Sequence, residues 1–138
     1  MVSDTLLSWA EIDLDAAAAN VRALKQRVGR DVMLAAVVKA DAYGHGAAQI
    51  AREALQNGAE WIIVNRSNEG IELRQARITA PILVLGHTLP GEADAMVRWD
   101  LRPTLTQLEQ AQALSIAAEY YGKEVPVHLK IDTGMGRL

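Results

Sequence analysis

The sequence predicts an α/β fold, namely the N-terminal portion of a TIM-like (β/α)8 barrel with about five βα units present. Short apolar runs alternate with amphipathic helical patterns about every 20 to 30 residues, which is typical of parallel βα units. The chain has neither a G-x-G-x-x-G fingerprint after its first strand nor a P-loop, so a barrel is favoured over an open nucleotide-binding sheet. Because a full barrel needs about 250 residues, we interpret residues 1–138 as an N-terminal fragment of such a domain.

Composition narrows the class of protein. The chain has 138 residues, of which 50% are hydrophobic and 22% are charged, as expected for one soluble globular unit. A net charge of -3 without a basic stripe argues against a nucleic-acid partner. The lack of cysteine excludes disulfides and thiolate metal sites, and it fits a reducing compartment. Since the sequence shows no secretion signal and no apolar run of about 18 residues, we expect a cytoplasmic protein without a membrane partner.

The first third of the chain predicts two strands with a helix between them. Residues 8–14 alternate weakly between polar and apolar types, which predicts a short strand. Apolar residues then recur at helical spacing over residues 14–28, with Asp13 or Asp15 as the start signal. Residues 32–38 form a nearly continuous apolar run, which predicts a strand covered on both faces.

The later elements keep the same alternation of strand and helix. Strands are predicted over residues 61–64, 81–85, 101–104 and 125–131, and helices over residues 47–55, from Ser67, over residues 90–98 and over residues 106–121. Ser67 is a suitable cap, and Pro90 suits the first position of its helix. Thr106 and Glu109 have the spacing of a capping box. A loop, residues 132–137, follows the strand over residues 125–131, which is the fifth strand when residues 32–38 are counted as the first.

Lys39 lies where the first long strand gives way to a loop, within the segment Val37–Gly46. The edge at which strands end is where α/β folds place their chemistry. Most lysines at strand ends are simply solvated, so this position alone assigns no role. The residues that follow, Tyr43-Gly44-His45-Gly46, make the segment a distinctive motif.

The fifth strand separates aliphatic from polar side chains. Lys130 and Asp132 share one face, whereas the other face carries Val127, Leu129 and Ile131. If the aliphatic face packs beneath helices, Lys130 turns toward the barrel interior, where Lys39 and Arg137 also converge. So much positive charge is costly unless anions balance it, such as a phosphate-bearing cofactor and a carboxylate substrate. Alternatively, Lys130 pairs with Asp132 or another carboxylate and has no further role.

Two long motifs resemble the alanine racemase family, namely residues 37–46 and residues 128–138. Their separation along the chain is also that of the family. Weaker similarity at residues 9–14 and 81–86 extends the resemblance to nearly the whole chain. Asp41 stands where many members have asparagine, although aspartate is also familiar there.

The resemblance implies a role for each motif residue. Lys39 would carry pyridoxal 5'-phosphate as a Schiff base and would take or return the alpha proton on one face of the substrate. Tyr43 would hydrogen-bond the cofactor phosphate. Arg137 would lie near the cofactor's phenolic oxygen and the substrate carboxylate, a task suited to a planar charged fork. Lys130 matches a lysine that is carbamylated in some members, and His45 would either support its loop or contact the cofactor.

The resemblance also implies the reaction and the assembly. The reaction is the interconversion of L-alanine and D-alanine, which in bacteria supplies D-alanine for peptidoglycan, in a cytoplasmic homodimer. A second catalytic base, a tyrosine from the partner's C-terminal β domain, and most of the phosphate site are expected beyond Leu138. Two alternatives stay open: a racemase of another amino acid on the same barrel, and a non-catalytic protein of pyridoxal-phosphate homeostasis. We expect the 138-residue piece alone to be an inactive open sheet.

Overall fold

A computed structural model describes residues 8–138 of the chain. The helical elements are α1 (Leu14–Val28), the short turn α2 (Lys39–Gly44), α3 (Ala47–Gln56), α4 (Ser67–Gln75), a 3-10 turn (Pro90–Glu92) that runs into α5 (Ala93–Arg98), and α6 (Leu108–Tyr121). The strands are β1 (Ala35–Val37), β2 (Trp61–Val64), β3 (Ile82–Val84), β4 (Arg102–Leu105) and β5 (His128–Leu129). None of the helices in this part of the chain is long and apolar enough to cross a membrane.

The five strands form one parallel sheet in the order β1-β2-β3-β4-β5. Each strand therefore lies beside its neighbour in sequence, as in the wall of a barrel, and every adjacent pair is parallel. Ile62, Val64, Ile82 and Val84 are buried in one apolar core with Leu73 of α4, and side chains of α3, α5 and α6 belong to the same core. We call the opposite side of the sheet, which faces away from these helices, the inner face.

The predicted helix boundaries agree with the structure where a side chain or glycine fixes them. Asp13 caps α1 by accepting a hydrogen bond from the backbone N–H of Ala16 at 2.9 Å. Gly122 ends α6 in a left-handed conformation, with φ at 59°. Pro90 opens the helical segment that runs to Arg98, as its missing N–H predicts.

Three local predictions are wrong. Residues 8–13 form no strand, since they pair with no neighbour in the described sheet, and Trp9 is 65% exposed. Ser67 is the first residue of α4 and not its cap, because its hydroxyl donates to the carboxylate of Glu92. The cap of α6 is Gln107 and not Thr106, since the side chain of Gln110, and not that of Glu109, accepts from the backbone N–H groups at the start of the helix.

The two outer strands are shorter than predicted. The strands span residues 35–37 and 128–129, against the predicted 32–38 and 125–131. Each of them pairs with one neighbour within residues 8–138, so the hydrogen-bond ladder has a partner on one side only. The apolar run of β1 is also covered on one face and not on both, and Val37 is 41% exposed. Leu129 shares the side of Leu105 but stays 74% exposed, because no described helix packs over it.

Candidate active site

The residues that follow the parallel strands meet at one edge of the sheet. Lys39 follows β1, Asn65 follows β2, Leu85 follows β3 and Lys130 follows β5, and the loop after β5 brings Arg137 to the same place. Together they surround a cavity of about 240 Å³ lined by Lys39, Asn65, Leu85, Lys130, Met135, Arg137 and Leu138. The predicted convergence of the two lysines and the arginine is therefore what the structure shows. Among residues 8–138, none of the residues that line this cavity is acidic.

Lys39 opens an unusual turn. Ala40, Asp41, Ala42 and Tyr43 all have positive φ angles, between 50° and 56°, with ψ between 34° and 51°. These values are left-handed helical, a conformation that costs a residue other than glycine roughly 1–2 kcal/mol. Four consecutive residues of this kind persist only where the surroundings enforce them, which in proteins is most often at a functional site.

Hydrogen bonds hold the left-handed turn at both ends. At its start, the N–H of Ala42 donates to the carbonyl of Val38 at 2.9 Å, and the N–H of Ala40 donates to the carboxylate of Glu69 at 2.7 Å. At its end, the N–H of Ala47 donates to the side chain of Asp41 at 2.7 Å. The direction in which Lys39 leaves the strand is therefore set by contacts from α3 and α4 and not by β1 alone.

Tyr43 and His45 both lie on the turn but play different structural parts. The Tyr43 ring is 62% exposed, does not line the cavity, and has its centroid 5.9 Å from the Lys39 ammonium. The His45 ring donates from Nδ1 to the carbonyl of Ala42 at 2.9 Å. Of the two roles open to His45 in the sequence, support of the turn is the one that this hydrogen bond favours.

The loop after β5 is held by its own aspartate. The Asp132 carboxylate accepts hydrogen bonds from the backbone N–H groups of Gly134 and Gly136 at 3.0 to 3.1 Å. The hydrogen bond from Gly134 makes the largest contribution to a lowered pKa of the exposed Asp132 carboxyl, followed by that from Gly136. The nearby charge of Lys130 lowers this pKa further. Asp132 and Lys130 form no ion pair under 4 Å in the described chain, so of the pairings that the alternative named, the one with Asp132 is not what the structure shows.

A second, more polar cavity adjoins the first and shares two of its cations. It measures about 410 Å³ and is lined by Lys39, Ala40, Asn65, Arg66, Asn68, Glu69 and Arg137. Its residues from the loop after β2, Asn65 and Arg66, belong to neither of the two sequence motifs. Their position in the sequence could have indicated them, because Asn65 comes directly after a buried strand, just as Lys39 does. Gly86 keeps the neighbouring loop close, since a Cβ there would lie 2.3 Å from the carbonyl oxygen of Asn65.

An aromatic and cationic layer lies on the inner face, farther from the edge where the strands end. The Arg102 guanidinium stacks 4.8 Å from the centre of the Trp61 ring, and the His128 ring lies 5.6 Å from the same indole. This stack ties β2 to β4 and β5 across the inner face. Trp61 and Arg102 are the first residues of β2 and β4, so the stack lies at the start of these strands, whereas Asn65, which lines the cavity, follows the end of β2.

Comparison with known proteins identifies the family. A sequence model of the family described as "Alanine racemase, N-terminal domain" matches residues 12–138. The chain belongs to this family. The alanine racemase of Synechocystis sp. is 54% identical over 132 residues, which are 95% of this chain and 36% of that protein.

Solved structures agree with this assignment. The alanine racemase of Clostridium difficile 630 has a TM-score of 0.93 at 39% identity, covering 99% of this chain and 36% of that one. The alanine racemase of Bacillus anthracis with bound L-Ala-P has a TM-score of 0.87 at 38% identity, covering 94% and 33%. The predicted fold class is confirmed, since the five-stranded sheet matches the N-terminal part of these barrels. The chain spans about a third of the length of the relatives it matches.

Proposed function

We propose that the protein carrying this chain interconverts L-alanine and D-alanine with pyridoxal 5'-phosphate. The observation that carries the proposal is the joint position of Lys39, Lys130 and Arg137 around one cavity, in a chain of the alanine racemase family. A relative solved with L-Ala-P bound supports an alanine-sized substrate. The supply of D-alanine for peptidoglycan in the cytoplasm, by a homodimer, belongs to the same proposal.

The residues around the cavity fit the cofactor. Three cationic side chains without a lining carboxylate need anions to balance them, and a phosphate ester and a substrate carboxylate are such anions. Leu85 and Met135 add apolar surface against which a flat ring can pack. In this proposal Lys39 binds the cofactor covalently, Tyr43 donates to its phosphate, and Arg137 lies beside its phenolic oxygen.

Each chain residue then has one task in the reaction. When bound, the cofactor supplies an electron sink that makes the alpha C–H bond of an amino acid acidic. The Lys39 amine takes that proton from one face, or returns it. Arg137 holds the substrate carboxylate with its planar donor fork. Lys130 is proposed to be carbamylated: its amine adds to dissolved CO2 and releases one proton, which would place an anion beside Arg137.

Racemisation needs a second proton-transfer group on the opposite face of the substrate. Around the cavity, in the part of the chain that the structure describes, Lys39 is the one well-placed base once Lys130 is carbamylated. Tyr43 lies outside the lining. We therefore propose that the second base is a tyrosine supplied by the partner subunit.

The decisive test is a D-alanine formation assay on the product of the full reading frame that contains residues 1–138, loaded with pyridoxal phosphate. We expect conversion in both directions, and its loss in Lys39→Ala. Lys123→Ala, which changes a lysine beyond α6 and outside the cavity, is the matched control and keeps the activity. Bound cofactor without racemisation would instead favour a homeostasis protein, and turnover of another amino acid would change the substrate.

Covalent labelling tests the assignment of the two lysines. Borohydride reduction of the loaded protein, followed by peptide mapping, should place the pyridoxyl mass on Lys39. Lys39 opens the strained turn, whereas Lys130 follows β5 and donates its backbone N–H to the carbonyl of Leu105 at 2.9 Å. A label on Lys130 would reverse the two roles.

The 138-residue piece is expected to be inactive by itself. Its outer strands each have one ladder partner within residues 8–138, and Leu129 and Ile131 are at least 70% exposed. Such edges and apolar surfaces favour association. Gel filtration and an alanine exchange assay on residues 1–138 check this, and a monomer with full activity would contradict it.

A further inference from the structure

Glu69 joins the two loops that border the Lys39 cavity. It is the third residue of α4, and one carboxylate oxygen accepts the backbone N–H of Ala40 at 2.7 Å. The other oxygen accepts the N–H groups of Asn65 and Arg66 at 2.7 and 2.9 Å. One side chain thus ties the residue directly after Lys39 to the residues directly after β2.

The bond to Ala40 satisfies an amide that the turn itself leaves open. The first N–H groups of any helical turn have no carbonyl four residues earlier to accept them. Ala40 is in addition left-handed, with φ at 50°, so the chain has no local preference that would keep this amide in place. The Glu69 carboxylate supplies a charged acceptor, which makes the stronger kind of hydrogen bond.

The contacts of Glu69 argue against another role that a carboxylate near a lysine can have, namely that of its partner in an ion pair. Within residues 8–138 the ion pair shorter than 4 Å joins Lys25 to Glu60, so Glu69 pairs with neither Lys39 nor Arg137. Both of its oxygens are taken by backbone N–H groups. The hydrogen bonds of Glu69 are therefore those of a group that holds the backbone of two loops.

We propose that Glu69 is a positioning residue for Lys39. By holding the amide of Ala40, it fixes the start of the left-handed turn and with it the direction of the Lys39 amine toward the cavity. The proposal rests on the proposed function only in so far as that amine is the group that binds the cofactor. The hydrogen bond between Glu69 and Ala40 does not depend on the proposed function.

Two substitutions separate this task from the capping of α4. Glu69→Asp keeps an acid in the first turn of the helix, where it favours the helix dipole, but is one methylene too short to reach Ala40 as well. Glu69→Gln keeps the length, but one of its two polar atoms becomes an NH2 donor. Facing Ala40, that NH2 group loses one bond, whereas facing Asn65 and Arg66 it loses two, so the orientation that gives up the bond to Ala40 is favoured. Glu72→Asp and Glu72→Gln, at an exposed position of the same helix, are the matched controls.

The first experiment uses the product of the full reading frame without cofactor. Amide hydrogen exchange is read on the peptide that covers residues 39–44. We expect both Glu69 variants to speed exchange at Ala40 by about tenfold, the loss of one charge-assisted hydrogen bond, while the Glu72 variants leave it unchanged. Unchanged exchange at Ala40 in Glu69→Asp would overturn the proposal.

The second experiment reads the position of the amine. Pyridoxal phosphate is added, and the rate at which Lys39 acquires a borohydride-reducible label is followed by peptide mapping. We expect a rate about tenfold lower in Glu69→Asp, at unchanged unfolding temperature, together with a lower kcat and little change in KM for alanine. Faster exchange at Ala40 with a normal labelling rate would overturn the positioning role. If the wild-type protein labels Lys39 but does not racemise alanine, the proposed function fails, whereas the exchange and labelling rates still decide the role of Glu69.

Discussion

The two loops that bring cations to the cavity are built in opposite ways. The loop after β1 contains Lys39 and four consecutive left-handed residues. It is fastened by Glu69 of α4 and by the hydrogen bond from the N–H of Ala47, in α3, to the side chain of Asp41. The loop after β5 contains Arg137, and the hydrogen bonds that hold it run from its own glycines to its own aspartate. Its residues 131–138 are all exposed.

The difference shows where this part of the protein is pre-organised. A strained backbone is kept only when its surroundings over-determine it, and the β1 loop has such surroundings within the described chain. The β5 loop has a defined local turn, but within residues 8–138 no packing buries that turn against the sheet, since residues 131–138 are all exposed. We infer that Lys39 is placed by this chain alone, whereas the position of Arg137 depends on contacts that residues 8–138 do not supply.

Two single substitutions, one in each loop, should differ most strongly in their effect on the free energy of unfolding. Ala42 is 5% exposed with φ at 53°, so Ala42→Val puts a β-branched side chain into a buried left-handed position. Backbone strain and overpacking together should cost about 2–4 kcal/mol. Met135→Val, in the β5 loop at a position 82% exposed, should cost less than about 0.5 kcal/mol. Urea unfolding of both variants measures the difference, and equal losses would show that the two loops are equally constrained.

The next effect should appear in turnover and not in stability. Arg137→Lys keeps the positive charge but loses the planar fork, so the cofactor should stay bound while kcat/KM for alanine falls about 10- to 100-fold. The unfolding midpoint should not change, because Arg137 lies in the exposed loop. Arg30→Lys, outside this cavity, serves as the control. Near-normal turnover in Arg137→Lys would show that the arginine has a structural role only.

The contrast also explains what the sequence could predict. The meeting of Lys39, Lys130 and Arg137 was predictable, because strand alternation and the common edge of parallel strands are local rules. The parallel order of the five strands followed from the same regular alternation. These features need only the period of the apolar pattern and the positions of the charged residues.

The support of the Lys39 turn could not be predicted in this way. No residue type in Ala40-Asp41-Ala42-Tyr43 favours a left-handed backbone strongly enough to indicate one, since none of them is glycine. The bond from Glu69 joins residues 29 positions apart, and a contact of that kind depends on how α4 lies against the turn. The wrong cap at Ser67 has the same origin, because a distant carboxylate, that of Glu92, takes its hydroxyl.

A smaller effect is expected at His45. Its ring donates to the carbonyl of Ala42, so His45→Ala should cost about 0.5–1.5 kcal/mol, the usual worth of one hydrogen bond. His45→Asn offers an amide donor of similar reach and should recover part of that loss. Thermal unfolding measures the cost. The absorbance of the bound cofactor should be the same in both variants, and a shifted spectrum would show that His45 contacts the cofactor instead.

The smallest effect concerns the pH dependence of the β5 loop. The hydrogen bonds from Gly134 and Gly136 lower the pKa of Asp132, so the stability that they contribute is fully present above the unfolded value of about 3.9. It is lost as the pH falls through the lower value of the folded loop. The amide proton shifts of Gly134 and Gly136 should therefore stay constant from neutral pH to about pH 4 and change below it, while the amide of Ile62 reports whether the whole fold is intact. Asp132→Asn should remove this pH dependence of the Gly134 and Gly136 amide shifts without changing the amide shifts of the β1 loop. An unchanged acid response in Asp132→Asn would show that another group orders the β5 loop, and the contrast between a loop held by its neighbours and a loop held by its own aspartate would then fail.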